Sequence, residues 1–179
     1  MTQETQIIHQ VLEGDIESFR LIVEMYERPI VRMIRNIISN RESCEDIAQN
    51  VFFTAYRKLA TFDPARSNFS TWLFTIARNK SINAMRKKRP VSMSELPHNS
   101  DEHNPSDELA ERELFNELDV GLEALPSAQK RAFIFAVFEN LPYEEIAQIE
   151  GVRTGTIKSR INRAKKKLAK ALKEIRYEK

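Results

Sequence analysis

The chain alternates between segments whose apolar residues recur every three or four positions and segments with no period at all. In VLEGDIESFRLIVEMYERPIVRMIRNII, Phe19, Ile22, Val23, Tyr26, Ile30, Ile34 and Ile37 follow a helical repeat. Pro29 is expected to kink or split this helix, because proline lacks a donor and crowds the preceding turn. SCEDIAQNVFFTAYRKL places Ile47, Val51, Ala55 and Leu59 on one stripe, with Ser43 as an N-cap and Glu45 and Asp46 in the first turn. TFDPARSNF reads as a loop. Ser70 is expected to cap a long helix through STWLFTIARNKSINAMRKKR.

From Pro90 the period disappears. PVSMSELPHNSDEHN holds turn formers and acids and reads as a flexible acidic linker over residues 90–105. Ser106 is expected to open a further helix with Leu114, Leu118, Leu122 and Leu125 on its stripe. Pro126-Ser127 starts the next, AQKRAFIFAVFENL, and Pro142 opens YEEIAQIEG, which Gly151 closes. The last segment, GVRTGTIKSRINRAKKKL, has Ile157, Ile161, Ala164 and Leu168 on one face and mostly Lys, Arg, Ser, Thr and Asn elsewhere. No β-alternation of useful length occurs. The prediction is an all-α protein of two small helical domains, 1–89 and 106–179, on a tether.

Charge sharpens this picture. The 179 residues carry a net charge of +2, but its distribution is uneven. Residues 76–90 hold six basic and no acidic residues, and 151–179 hold eleven basic and two acidic. Between them, 91–127 hold one basic and ten acidic residues. Two basic blocks point to a polyanionic partner, although solvated helix ends would give a similar pattern. No apolar run reaches the length that spans a bilayer, and MTQETQIIHQVLEGD lacks the pattern of a signal peptide. The one cysteine, Cys44, has no internal partner for a disulfide, which suits a reducing, cytoplasmic compartment.

LPYEEIAQIEGVRTGTIKSRINRAKKKL has the form of a helix-turn-helix. A short helix carries Ile146, Ala147 and Ile149, a tight turn follows at Gly151-Val152, and the second helix packs through Ile157 and Ile161. Thr154, Thr156, Lys158, Ser159, Arg160, Asn162 and Arg163 would then face outward, Lys and Arg toward phosphates and base edges. A basic helical hairpin is the plainer alternative.

YEEIAQIEGVRTGTIKSRINRAKKKL resembles the promoter-reading C-terminal region of bacterial sigma factors. CEDIAQNVFFTAYRKL and FDPARSNFSTWLFTIARNKSINAMRKKR resemble their N-terminal domain. Size and order are similar to the extracytoplasmic-function (ECF) group of the sigma-70 superfamily. The resemblance covers about 8–89 and 108–172 and implies roles for matching positions. Glu45, Asp46, Gln49, Phe52 and Arg57 would dock on core RNA polymerase, at the clamp helices of its β′ subunit, with the β subunit also in contact. Glu45, Gln49 and Phe52 also share a face by spacing, although the two acids equally suit a helix N-terminus. Arg66, Asn68, Phe69, Ser70, Trp72, Asn79, Lys80, Arg86 and Lys87 would read the −10 element and hold an unstacked base of the melted strand. Trp72 at helical spacing also suits a core position. Arg153, Thr154, Thr156, Lys158, Ser159, Arg160, Asn162 and Arg163 would read the −35 element.

The resemblance implies recruitment rather than catalysis: a non-enzymatic initiation factor that binds core polymerase and promoter DNA, with an anti-sigma factor as a further partner. No cofactor is expected, and no Walker-type stretch is present. His98 and His103 lie among acids in the linker but match no zinc spacing. An ordinary helix-turn-helix regulator that binds duplex DNA without polymerase is the alternative function.

Overall fold

The structure, a computed structural model, describes residues 3–38, 42–87, 118 and 120–177. Among these residues the regular structure is helical throughout. The main helices are α1 (Gln3–Leu12), α2 (Phe19–Ile37), α3 (Glu42–Lys58), α4 (Phe69–Lys87), α5 (Ser127–Val137), α6 (Tyr143–Glu150) and α7 (Thr154–Tyr177). The 90–105 linker and Ser106 with its helix opening lie outside the described residues.

The N-terminal half is a helical bundle. α2 supplies Ile22, Ile30, Met33 and Ile34, all fully buried, against Val51 and Ala55 of α3 and Leu73 and Ala77 of α4. Cys44 is buried in the same core. α1 was not foreseen. It covers the bundle with Ile7, Ile8 and Val11, and Gly14, at φ 109°, turns the chain into the three-residue 3₁₀ turn that precedes α2. Pro29 does not split α2, which runs unbroken past it. Its apolar face is buried on both sides of the proline, and that burial offsets an interior-proline cost of about 3 kcal/mol. α3 begins at Glu42 and α4 at Phe69, each one residue before the cap predicted at Ser43 and Ser70. Asn68 receives the Trp72 amide at 3.1 Å, so the chain enters α4 from Asn68.

In the C-terminal half, α5 lies between two cores. Ala132, Ile134 and Phe135 join the large core, whereas Phe133 joins Leu122, Leu125, Ala164 and Leu168 in a smaller one. Residues 120–123 are helical and run close to α7: a Cβ on Gly121 would lie 2.9 Å from Cδ2 of Leu168.

The two halves are not held apart. α5 packs on α2 and α6 packs on α4. Phe74 of α4 meets Phe135 of α5 edge to face, with ring centroids 5.9 Å apart. One apolar core runs from α1 through to α7. The sequence leaves the placement of the two lobes open; in the structure the apolar faces of α4 and α5 bury each other.

Phe135→Ala removes a fully buried ring at this seam. It is expected to lower stability by about 3–5 kcal/mol, read by urea denaturation followed by circular dichroism.

Candidate nucleic-acid interface

The sequence of α6 and α7 builds their crossing directly. α6 opens after Pro142 with no side-chain cap, and Glu144 and Glu145 stand in its first turn, where carboxylates suit the positive helix end. It ends at Gly151, which takes the left-handed conformation at φ 66°. The Gly151 amide donates to the Gln148 carbonyl at 3.2 Å and the Val152 amide to the Ala147 carbonyl at 3.0 Å, the paired bonds of a Schellman ending. Three residues later α7 begins. Its back is the predicted stripe: Ile157, Ile161, Ala164 and Leu168 are all buried.

That leaves a polar front. Arg153, Thr156, Lys158, Ser159, Asn162 and Arg163 are exposed, and Thr154 is half-buried at the helix start. Lys165, Lys166, Lys167 and Lys170 continue the basic surface along the helix. Arg160 differs from the rest of this set. It is half-buried, and its Nη1 lies 3.3 Å from Oε2 of Glu150.

Glu150 is a hub that sequence reasoning missed. Its side chain is 1% exposed and meets three guanidinium groups. Arg131 of α5 holds both oxygens, Nε to Oε1 at 2.8 Å and Nη2 to Oε2 at 2.9 Å. Arg78 of α4 donates from Nε to Oε1 at 3.2 Å, and Arg160 supplies the third contact. Burial alone would raise the carboxyl pKa, but the charges and hydrogen bonds of Arg131 and Arg78 hold it below the ordinary carboxylate range. Glu150 is therefore ionised at neutral pH.

The second group of predicted residues gathers at the start of α4. Phe62, Phe69 and Trp72 form an aromatic cluster, with Trp72 at 5.6 Å from Phe62 and 5.5 Å from Phe69, and Tyr26 also packs on Phe69. Phe69 is buried and Trp72 half-buried, so Trp72 serves the packing and keeps one open side. The Tyr26 hydroxyl donates to Glu4, and burial together with that bond raises its pKa. Arg66 is exposed and lies 3.4 Å from Asp63. Ser70 is half-buried. Asn79 is exposed and accepts from Arg78 Nη1 at 2.9 Å; Lys80 and Arg86 lie further along α4, and Lys87 ends it. The side chain of Lys87 lies outside the described residues.

Two contacts at this site come from the C-terminal half. Asn68 Nδ2 donates to Glu145 Oε1 at 3.1 Å, and the Thr71 hydroxyl donates to Glu145 Oε2 at 2.7 Å. A third contact lies nearby, where Arg32 holds Glu139 through two bonds of 2.9 and 2.7 Å. None of these carboxylates was singled out from the sequence. The one available signal was that residues 128–150 hold four acids and two bases, opposite in sign to the basic end of α4.

The third group lies on α3. Glu45, Asp46, Gln49 and Arg57 are exposed. Phe52 is not: it is buried at 8% exposure, whereas Phe53 is 60% exposed with the Arg57 guanidinium 5.7 Å above its ring. Phe52 thus belongs to the bundle core, and Phe53 is the aromatic that this face of α3 leaves open. Among the described residues no cluster of His, Cys, Asp and Glu could hold a metal ion. His98 and His103 lie outside them.

Residues 22–91 match the family Sigma-70 region 2, and residues 115–168 match Sigma-70, region 4. The chain is 31% identical to the ECF RNA polymerase sigma factor SigW of Bacillus subtilis, over 94% of this chain and 96% of that protein. It is 31% identical to the RNA polymerase sigma-H factor of Pseudomonas aeruginosa, over 97% and 95% of the two chains. Among solved structures it resembles the sigma factor RpoE of Bartonella quintana in complex with the anti-sigma factor NepR, with TM-score 0.73 and 26% identity over 88% of this chain and 98% of that one. CnrH in complex with the cytosolic domain of CnrY shares the fold at TM-score 0.73 and 21% identity, over 94% and 96% of the chains. A region 2 bundle and a region 4 helix-turn-helix on one chain, with relatives aligned over nearly their whole length, place this protein among the ECF sigma factors of the sigma-70 superfamily.

Proposed function

We propose that the chain binds core RNA polymerase and directs promoter-specific transcription initiation. In this reading the front of α7, with Lys158, Ser159, Asn162 and Arg163, reads the −35 element. The loop 62–68 and the start of α4, with Asn79 further along, capture a melted base of the −10 element. The observation that carries the reading is the presence of both modules on one chain, with the cations of α7 on the outside and its apolar stripe inside. A regulator that binds duplex DNA alone accounts for the helix-turn-helix and leaves the region 2 match, residues 22–91, without a purpose.

The mechanism is binding rather than bond chemistry. Unstacking a base costs a few kcal/mol, and a shaped polar and aromatic pocket offsets it. Lysine and arginine contacts to phosphate supply sequence-independent affinity, and base edges supply selectivity. Polymerase docks on the exposed face of α3 through Glu45, Asp46, Gln49 and Arg57, with Phe53 as the aromatic anchor. The neighbour solved with the anti-sigma factor NepR supports an anti-sigma factor as a further partner. No described helix is long and apolar enough to cross a membrane; the site of action is where polymerase works, in the bacterial cytoplasm.

Run-off transcription with purified core polymerase on a mixed genomic template tests the proposal. New transcripts with a shared upstream motif are expected only when the chain is added; their absence, with tight duplex binding in the absence of polymerase, would favour the regulator instead. Lys158→Ala with Arg163→Ala is expected to lower output from those promoters at least tenfold, a loss of about 1.4 kcal/mol or more, with polymerase binding unchanged in gel filtration. Arg160 is left intact in this pair because it also holds Glu150. On the other face, Phe53→Ala should weaken polymerase binding and leave the urea midpoint in place, whereas Phe52→Ala should lower the midpoint.

A further inference from the structure

The cations of the −35 set are not equivalent. Lys158 and Arg163 are exposed, and neither makes an ion pair with another described residue. Arg160 shares a helix face with Thr156, one turn before it, and Arg163, one turn after. Its side chain is only 23% exposed, and Nη1 donates to Oε2 of Glu150 at 3.3 Å. A free arginine side chain samples many rotamers and loses that freedom when it binds. Arg160 has given up part of it before DNA arrives.

Glu150 can hold Arg160 because Glu150 is itself fixed at both ends. Its backbone precedes Gly151, whose left-handed turn is closed by the Gly151 and Val152 amides. Its two oxygens are taken by Arg131, at 2.8 and 2.9 Å, and the Arg131 side chain is 11% exposed. Arg78 also reaches Oε1, but Arg131, Glu150 and Arg160 lie on α5, α6 and α7, so their chain of contacts is complete within the C-terminal half. A carboxylate at 1% side-chain exposure has no access to DNA, and its charge opposes phosphate. It acts on DNA only through its partner. The contact at Nη1 leaves the Nε–Nη2 edge of Arg160 without a bond to a described residue. That edge carries two parallel N–H donors, which suit the two adjacent acceptors that a base edge presents in the major groove.

We propose, building on the reading of α7 as the −35 reader, that Glu150 is a positioning residue for base selection. Clamped by Arg131, it holds Arg160 with the Nε–Nη2 edge free. One or two adjacent base pairs of the −35 element are then selected through an acid that never touches them. Lys158 and Arg163 contact DNA independently of this pair, and what they contribute does not pass through Glu150.

Holoenzyme assembled from core polymerase and the full chain tests this, on a library built from a promoter recovered by run-off transcription, with its −35 region randomised and its −10 region constant. Sequencing of the bound fraction gives the base preference at each position. Arg160→Ala is expected to flatten the preference at one or two adjacent pairs. Glu150→Gln keeps the size of the side chain and removes its charge. It is expected to lower the preference at the same pairs about fivefold and to leave the preferences elsewhere in place. The double variant should be no worse at those pairs than Arg160→Ala alone, because the two side chains act as one unit, whereas Lys158→Ala combined with Glu150→Gln should add its own loss. A purely structural role for Glu150 gives a different pattern: occupancy falls on every sequence, with all preferences kept or all weakened alike. Either result would overturn the proposal. Circular dichroism checks that the variants are folded. If Glu150→Gln loses helix content, Glu150→Asp decides, since it keeps a charge for Arg131 and draws the carboxylate back from Arg160 by one methylene. Loss at the Arg160 pairs then supports the positioning role, and unchanged preference refutes it. A wild-type chain that drives no polymerase-dependent transcription refutes the sigma-factor reading. One that drives it while Glu150→Gln selects as the wild type does refutes the positioning role alone.

Discussion

A carboxylate with a 1% exposed side chain is tenable only with partners, because a lone buried charge costs several kcal/mol. Glu150 has three. Arg131 anchors it to α5, Arg160 to the recognition helix and Arg78 to α4 of the N-terminal bundle. Four helices thus meet at one charge. The same residue sits at the end of α6, one position before the left-handed Gly151 that turns the chain into α7. The crossing of the helix-turn-helix, the placement of Arg160 and the seam between the lobes share this point. Because its pKa is held below the ordinary carboxylate range, the pairing stabilises the fold above about pH 4.3, the unfolded value, and that contribution is lost as pH falls through the folded value.

Much of the fold is legible in the sequence, for identifiable reasons. The stripe Ile157, Ile161, Ala164 and Leu168 is buried as its spacing requires, since a helix that must cover a core leaves a period near 3.6. Gly151 ends α6 because a left-handed residue without a Cβ costs least there. Where the period is short or interrupted, less can be read. Ile7, Ile8 and Val11 form only one apolar patch before Gly14, and α1 went unpredicted. Pro29 does not split α2, because burial on both sides of it carries the helix through.

The site is less legible than the fold because function sits on contacts between distant segments. Spacing puts Glu45, Gln49 and Phe52 on one face, yet Phe52 and Phe53 are neighbours, and only the bundle decides which of them turns inward. The three acids of the seam lie in three different settings: Glu139 after α5, Glu145 in the first turn of α6 and Glu150 at its end. No one-dimensional period links them. Their opposite partners, Arg32, Asn68, Thr71 and Arg78, lie 72 or more residues away. Charge segregation along the chain shows that basic and acidic blocks exist, but not that they face one another.

The chain carries both sigma modules, region 2 and region 4, packed on one another through a shared apolar core. Binding free energy, rather than a chemical step, is what melts DNA in such a system, and it is available only when polymerase and both promoter elements are engaged together. Permanganate reactivity of thymines in the −10 region tests this most directly, on a promoter recovered by transcription and with no nucleotide added. Reactive thymines are expected when core polymerase and the chain are both present, and not with either alone. Duplex that stays unreactive with both present, while the chain binds it without polymerase, would contradict the account.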